Sequence, residues 1–122
     1  MNKLLLLLLL TTNVVAQEFL TSSSFGPKTA KGITVVEFWV EWNKGNEVVF
    51  LGNLKDCAPY RVCIIKSSDI QNEYKVTSVP TVIVFDNGVE QIRFNPNIMM
   101  QLDATKKEIQ AGIDEITFNK FQ

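Results

Sequence analysis

The side chains able to do covalent chemistry in this chain are few: two cysteines, Cys57 and Cys63, and no histidine in 122 residues. Without histidine the sequence excludes a Ser-His-Asp or Cys-His nucleophile and a histidine-based zinc site. Two cysteines are also too few for a four-thiolate zinc site or an iron–sulfur cluster. The chemistry that remains is that of thiols or carboxylates, and we expect neither a metal ion nor another cofactor.

The spacing of the two cysteines decides what they can do together. Cys57 and Cys63 are separated by five residues, with Pro59 between them. This is not the tight spacing at a helix N-terminus that lowers the pKa of a thiol. A structural disulfide between Cys57 and Cys63, two unpaired core thiols and a catalytic redox pair all stay open, and the first two are favoured.

The charge balance also limits the kind of partner. The chain has 12 basic and 13 acidic side chains, a formal charge of −1. Nucleic-acid binding needs a basic face that neutralises phosphates, and a near-neutral chain has no excess of positive charge for it. We therefore expect no nucleic acid partner.

The first 16 residues have the organisation of a secretory signal peptide. Lys3 supplies a positive charge, Leu4 to Leu10 is an unbroken leucine run, and Ala16 provides a small residue before Gln17. A membrane-spanning helix needs about 20 apolar residues, so this segment predicts no stable membrane span after cleavage. We expect a signal peptide at 1–16 and one domain at 17–122, in the endoplasmic reticulum lumen, the periplasm or the extracellular space.

Four short segments have the composition of β-strands. Ile33 to Val40 and Thr81 to Phe85 are near-continuous apolar runs, which predicts strands buried on both faces. Arg61 to Ile65 is a third predicted strand. Val89 to Phe94 follows Asn87-Gly88 and predicts a hairpin partner at the edge of the sheet.

Helical patterns lie between these strands. Glu47 to Leu54 and Asp69 to Tyr74 are predicted as short helices. Thr105 and Glu108 have the spacing of a capping box. An apolar stripe follows it, formed by Ile109, Ile113 and Ile116. Strands that alternate with helices predict a single α/β domain.

Two segments resemble a known family. The run from Val35 to Trp42 (VVEFWVEW) is similar to the strand that leads into a redox motif, and Val79-Pro80-Thr81 is similar to a cis-proline loop. Together they resemble the thioredoxin superfamily, and within it the domains of protein disulfide isomerases, over most of Gln17 to Ile116. The resemblance implies a thioredoxin fold, with a central mixed β-sheet flanked by helices.

The chain departs from this family at the redox motif. Where the family has Cys-x-x-Cys after the tryptophan, this sequence has Asn43-Lys44-Gly45-Asn46. Exchange needs a thiolate that attacks a disulfide, and an asparagine amide cannot do this. In a rival alignment Cys57 begins the motif, but it lies only 23 positions before Pro80, against 37 for Asn43. The longer interval fits the helix, strand and helix of the family.

The resemblance also suggests roles for individual residues. Glu37 matches a buried acid that relays protons in redox members; here it is interpreted as inherited without current use, with an acid–base role or a solvent-facing position as alternatives. Trp42 either lies beside the substrate surface, as in the family, or makes the ordinary packing contacts of a tryptophan at a strand end. Pro80 is expected to be cis and to present the backbone of Val79. Met99 and its neighbours are interpreted as core packing rather than as an adaptable binding surface.

These observations favour a non-catalytic domain that binds a polypeptide or a protein partner. The binding surface would comprise Trp42, the Asn43 to Asn46 segment, Val79, Pro80 and Thr81. One alternative is a thiol–disulfide oxidoreductase, acting in redox homeostasis or protein folding, that uses Cys57 with or without Cys63. Another is a structural subunit without a peptide site.

Overall fold

The computed structural model describes residues 17–122. The predicted signal peptide, residues 1–16, lies outside the described residues. Five strands form one sheet: β1 (Glu18–Leu20), β2 (Ile33–Trp39), β3 (Ala58–Cys63), β4 (Thr81–Asp86) and β5 (Val89–Phe94). The α-helices of this range are α1 (Phe25–Thr29), α2 (Ser68–Glu73) and α3 (Lys106–Asn119), and short 3₁₀ helices span Glu41–Asn46 and Leu51–Asn53.

The sheet is mixed and has the order β1-β3-β2-β4-β5. Strands β1, β3 and β2 are parallel, whereas β4 and β5 are antiparallel to their neighbours. β2 and β4 lie in the interior of the sheet, and nearly all of their residues are buried. This confirms the prediction of two-sided burial from their apolar runs.

Each face of the sheet carries its own hydrophobic core, because successive side chains of a strand point to opposite faces. Val36 and Phe38 of β2 pack on one face with Phe25 of α1 and Ile70 of α2. The other face holds a second cluster, formed by Val35, Val48, Leu51, Leu54, Val82, Val84, Ile109 and Ile113. The sheet is therefore flanked by helices on both sides, as predicted.

The turn and cap signals are also confirmed. Asn87 (φ 51°) and Gly88 (φ 83°) both have positive φ, which the tight hairpin between β4 and β5 requires. At the start of α3 the Thr105 hydroxyl accepts a hydrogen bond from the Glu108 amide, and the Glu108 carboxylate accepts one from the Thr105 amide. Each bond is 3.2 Å long. Both halves of the predicted capping box are present.

The predicted helix from Glu47 to Leu54 is wrong. This segment forms turns and the 3₁₀ helix Leu51–Asn53 instead. The reason lies at Val48, whose amide donates to Glu37 (3.1 Å) and whose carbonyl accepts from Arg61 (2.7 Å). Side chains of the sheet therefore use the carbonyl that a regular helix would engage four residues later.

The third predicted strand is displaced toward the N-terminus. β3 begins at Ala58 and ends at Cys63, instead of running from Arg61 to Ile65. Because β3 is parallel to β2, its extent follows from pairing with Thr34 through Trp39 rather than from its own apolar residues. No helix within residues 17–122 is long and apolar enough to cross a membrane.

Candidate functional site

The segment after β2 and the proline loop before β4 lie at the same edge of the sheet. β4 is antiparallel to β2, and Thr81 at its start is paired with Phe38 near the end of β2. The Val79–Pro80 peptide bond in this loop is cis. The fold therefore brings together the two segments that the sequence suggested as a binding surface.

Asparagine side chains connect these segments. The Asn43 amide nitrogen Nδ2 donates to the carbonyl of Met100 (3.1 Å) and, at 3.4 Å, to the carbonyl of Val79. The Asn46 Nδ2 in turn donates to the Asn43 Oδ1 (3.0 Å). Both asparagines are half-buried. By the family resemblance, Asn43 and Asn46 occupy the positions of the redox cysteines. Their neutral hydrogen bonds link the segment after β2 to the proline loop at Val79 and to the segment at Met100.

Trp42 projects from this surface into solvent. Its side chain is 68% exposed, so the interpretation that it packs in the core is wrong. In the same short segment, Lys44 forms an ion pair with Glu41 (3.1 Å), and both of these side chains are largely exposed. Gly45 is exposed as well. The indole is the large apolar group that this segment presents to solvent.

The proline loop is almost completely buried. Val79 and Thr81 are each 1% exposed, and Pro80 is also buried. The Thr81 hydroxyl donates to the carbonyl of Ser78 (2.7 Å). Because these values cover main chain and side chain together, the loop offers a partner little exposed surface.

A methionine segment adjoins the same site through the Asn43 to Met100 hydrogen bond. Met99 is 69% exposed, which contradicts the interpretation of this residue as core packing. Met100 and Leu102 do pack against the two cores. A turn stabilised by Asn97 turns Met99 outward, since its Oδ1 accepts from the amides of Met99 (2.8 Å) and Gln101 (3.1 Å).

Glu37 is fully buried, so the alternative that it faces solvent is wrong. Arg61 Nε donates to one of its oxygens at 2.9 Å, and the Val48 amide donates to the other at 3.1 Å. Desolvation raises the pKa of Glu37, and the hydrogen bonds from Arg61 and Val48 only partly offset this. The carboxylate therefore has a structural contact to the loop that follows β2.

Arg61 is a functional-site neighbour that the sequence reasoning missed. It is 8% exposed, and its Nη2 also lies 3.8 Å from Glu47. It stands directly opposite Glu37 in the parallel register of β2 and β3. The signal in the sequence was an arginine beside an apolar strand segment, since a buried charge requires a partner.

The two cysteines are both free, so of the alternatives left open by the sequence the Cys57–Cys63 disulfide is wrong and two unpaired thiols are found. Cys57 immediately precedes β3 and Cys63 is its last residue. At about 3.3 Å per residue, an extended strand separates their Cα atoms by roughly 20 Å. A disulfide needs Cα atoms less than about 7 Å apart. The same separation excludes Cys57 and Cys63 as a redox pair within one chain.

Cys57 is also far from the candidate site. Its neighbour Ala58 is paired with Thr34 at the start of β2, so Cys57 lies at the opposite edge of the sheet from Trp42. This contradicts the rival alignment in which Cys57 begins the redox motif. Burial raises the pKa of the Cys57 thiol to about 11, and the nearby charge of Asp56 adds to the effect. Within residues 17–122, no group of His, Cys, Asp and Glu side chains is arranged to hold a metal ion.

Comparison with known proteins places this geometry in a family. No protein-family model matches the sequence. The thioredoxin of Mycoplasma genitalium is 31% identical over 71 residues, which cover 53% of this chain and 70% of that protein. Two solved structures share the fold with a TM-score of 0.66 over 84% of this chain. One is a mutant thioredoxin from Halobacterium salinarum (15% identity, 95% of that chain), and the other is a designed protein (18% identity, 99% of that chain). The chain therefore belongs to the thioredoxin superfamily.

Proposed function

We propose that this domain is a non-catalytic module of the secretory pathway that binds an extended polypeptide or a protein partner. The binding surface comprises Trp42 to Asn46 and Val79 to Thr81. The observation that carries the proposal is the 68% exposed indole of Trp42, which directly precedes Asn43, the residue whose side chain bonds the carbonyl of Val79. A large exposed aromatic side chain next to a segment with an unpaired main-chain amide is suited to peptide recognition.

Main-chain pairing at Val79 would orient the bound polypeptide. Among the described residues, no hydrogen bond uses the Val79 amide hydrogen. The Val79 carbonyl accepts only the 3.4 Å bond from Asn43, which is longer than the usual range of about 2.7–3.2 Å. Because Val79 is 1% exposed, a peptide would reach its main chain by displacing Asn43, and so long a bond is readily displaced. An extended segment would therefore pair with Val79 and place an apolar side chain against Trp42.

The chemistry of the site supports binding without catalysis. Asn43 and Asn46 carry no sulfur, so neither can attack a disulfide nor resolve a mixed disulfide. The alternative, an oxidoreductase that uses Cys57, would depend on a thiol with a pKa of about 11. Such a thiol is almost entirely protonated at neutral pH, and the thiolate is the nucleophilic form.

The test is an NMR titration with reduced, carboxymethylated α-lactalbumin as an unfolded polypeptide. We expect the resonances of Trp42, Asn43 and Val79 to shift. Trp42→Ala should weaken binding by about tenfold or more, as for an aromatic hot spot. Phe118→Ala is the matched control, because Phe118 is 65% exposed on α3 and should leave binding unchanged. Shifts confined to other surfaces, or no shifts, would favour the structural-subunit alternative.

Thiol assays separate the proposal from the oxidoreductase alternative. We expect no acceleration of insulin reduction by dithiothreitol, and turnover abolished by Cys57→Ala would contradict the proposal. The double variant Asn43→Cys with Asn46→Cys should gain disulfide reductase activity, because it supplies a nucleophile and a resolving thiol. Both native cysteines should react as free thiols in the denatured protein without reductant.

A further inference from the structure

A second concave site lies at the carboxyl ends of the three parallel strands. A cleft of about 470 Å³ opens there, beside Leu20 of β1, Trp39 of β2 and Cys63 of β3. Crevices outside the carboxyl ends of parallel strands are common ligand positions in α/β sheets, and small-molecule sites measure about 300–1,000 Å³. None of the lining residues belongs to the proposed polypeptide-binding surface.

Aromatic rings form the walls of this cleft. Phe19 and Trp39 meet edge to face, with ring centroids 4.9 Å apart and an interplanar angle of 72°. Phe19 remains 41% exposed. The indole nitrogen of Trp39 already donates to Glu47 (2.8 Å), so the ring offers only carbon atoms to the cleft. These walls suit a flat aromatic group.

A hydroxyl without a hydrogen-bond partner in the described part of the chain also lines the cleft. Ser67 is 3% exposed and precedes α2, but its side chain makes no capping hydrogen bond. Among residues 17–122 its hydroxyl has no other hydrogen-bond partner, although its amide donates to the carbonyl of Cys63 (2.9 Å). The Ser67 hydroxyl is therefore available to a ligand in the cleft.

The charges at the rim favour an anion. Lys66 lines the cleft and forms no ion pair with any residue that the structure describes. The other charged lining residue, Glu41, is compensated by Lys44 at 3.1 Å. One positive charge thus remains uncompensated beside aromatic walls and a free hydroxyl.

We propose that this cleft binds a small aromatic carboxylate. Its ring would lie against Phe19 and Trp39, and its carboxylate would accept hydrogen bonds from the Lys66 ammonium and the Ser67 hydroxyl. Charge-assisted hydrogen bonds of this kind are stronger than neutral ones. The cleft shares no residue with the polypeptide-binding surface, and each proposal has its own probe and variants, so either can fail without the other.

Naphthalene-2-carboxylate is the probe, and naphthalene-2-methanol is its uncharged analogue. In an NMR titration of the protein we expect the carboxylate to shift the Phe19 and Ser67 amides and the Trp39 indole N–H. The alcohol should bind about fivefold more weakly, since it lacks the ion pair. Lys66→Gln should abolish this preference for the carboxylate, and Ser67→Ala should weaken carboxylate binding about fivefold.

Lys55→Gln is the matched control, because Lys55 is exposed outside the cleft and should leave the preference intact. Within residues 17–122 neither Lys66 nor the Ser67 hydroxyl makes a hydrogen bond or ion pair, so melting curves of the variants should match wild type. Equal binding of the two probes would overturn the proposal. Shifts centred on Trp42 or Phe118, or no shifts at millimolar probe, would also overturn it.

Discussion

Two polar clusters attach the segment after β2 to the rest of the molecule, and they differ in burial and charge. The ionic cluster consists of Glu37, Arg61 and the backbone of Val48. The amide cluster consists of Asn43 and Asn46 with the carbonyls of Val79 and Met100. Glu37 is fully buried and forms an ion pair with Arg61. Asn43 and Asn46 are half-buried and neutral.

The difference in burial and charge implies different roles for the ionic cluster and the amide cluster. Breaking a buried ion pair leaves an unpaired charge in the interior, which costs about 3–5 kcal/mol. A half-exposed neutral hydrogen bond exchanges with water and contributes about 0.5–1.5 kcal/mol. The ionic cluster is therefore structural, while the amide cluster could rearrange to admit the proposed polypeptide partner.

The largest expected effect is at Arg61. Arg61→Ala leaves the Glu37 carboxylate buried without its partner, and should lower the free energy of unfolding by about 3–5 kcal/mol. Urea unfolding measures this. Lys28→Ala is the control, because Lys28 forms an exposed pair with Glu18 at 3.8 Å and should cost less than about 1 kcal/mol. The double variant Glu37→Leu with Arg61→Leu should recover part of the loss, and no recovery would contradict the assignment.

The next effect is a pH dependence at Glu37. Burial raises its pKa in the folded protein, so the unfolded chain loses this proton first as pH rises. The contribution of Glu37 to stability is therefore fully present below the unfolded pKa of about 4.3 and is lost as pH rises through the folded pKa. Unfolding free energies of wild type and Glu37→Gln should show wild type losing stability relative to the variant over this window. A relative gain for wild type would mean that pairing with Arg61 outweighs desolvation.

A smaller effect is expected in the amide cluster. Asn43→Ala removes two hydrogen bonds to backbone carbonyls and should lower the free energy of unfolding by about 1 kcal/mol. Hydrogen exchange should increase in the Met99 segment, which Asn43 contacts through Met100. Asn53→Ala is the control, because the side chain of Asn53 is exposed and forms no hydrogen bond in the described part of the chain. If Asn43→Ala lowered the free energy of unfolding by about 3 kcal/mol or more, as expected for a buried ion pair, the amide cluster would be as structural as the ionic cluster.

The smallest expected effect on stability is at Trp42. Trp42→Ala should change the free energy of unfolding by less than about 0.5 kcal/mol, because the side chain is 68% exposed. Trp39→Ala is the matched comparison, because the Trp39 ring packs on Phe19 and its indole nitrogen donates a hydrogen bond to Glu47. This substitution should lower the free energy of unfolding by about 2 kcal/mol or more. Thermal melts compare the two variants. A comparable cost for both would indicate that Trp42 supports the fold rather than binding.

Local patterns predicted most of the architecture. The apolar runs in β2 and β4, the Asn87-Gly88 turn and the Thr105 cap each depend on residues close in sequence, and each was confirmed. The helix predicted from Glu47 to Leu54 failed, although Val48, Leu51 and Leu54 are buried as its stripe implied. The burial of these three residues follows from their own apolar side chains. The backbone conformation depended on Glu37 and Arg61, which are distant in sequence.

The sequence by itself determined the family and the sheet with its flanking helices. These features are composition and short-range order, which the chain carries in any conformation. The tertiary structure decided that Arg61 neutralises Glu37, that Cys57 and Cys63 lie too far apart to join, and that Trp42 and Met99 face solvent. Each of these depends on how β3 aligns with β2 or how a loop packs on the sheet, and such alignment is set by contacts between residues far apart along the chain.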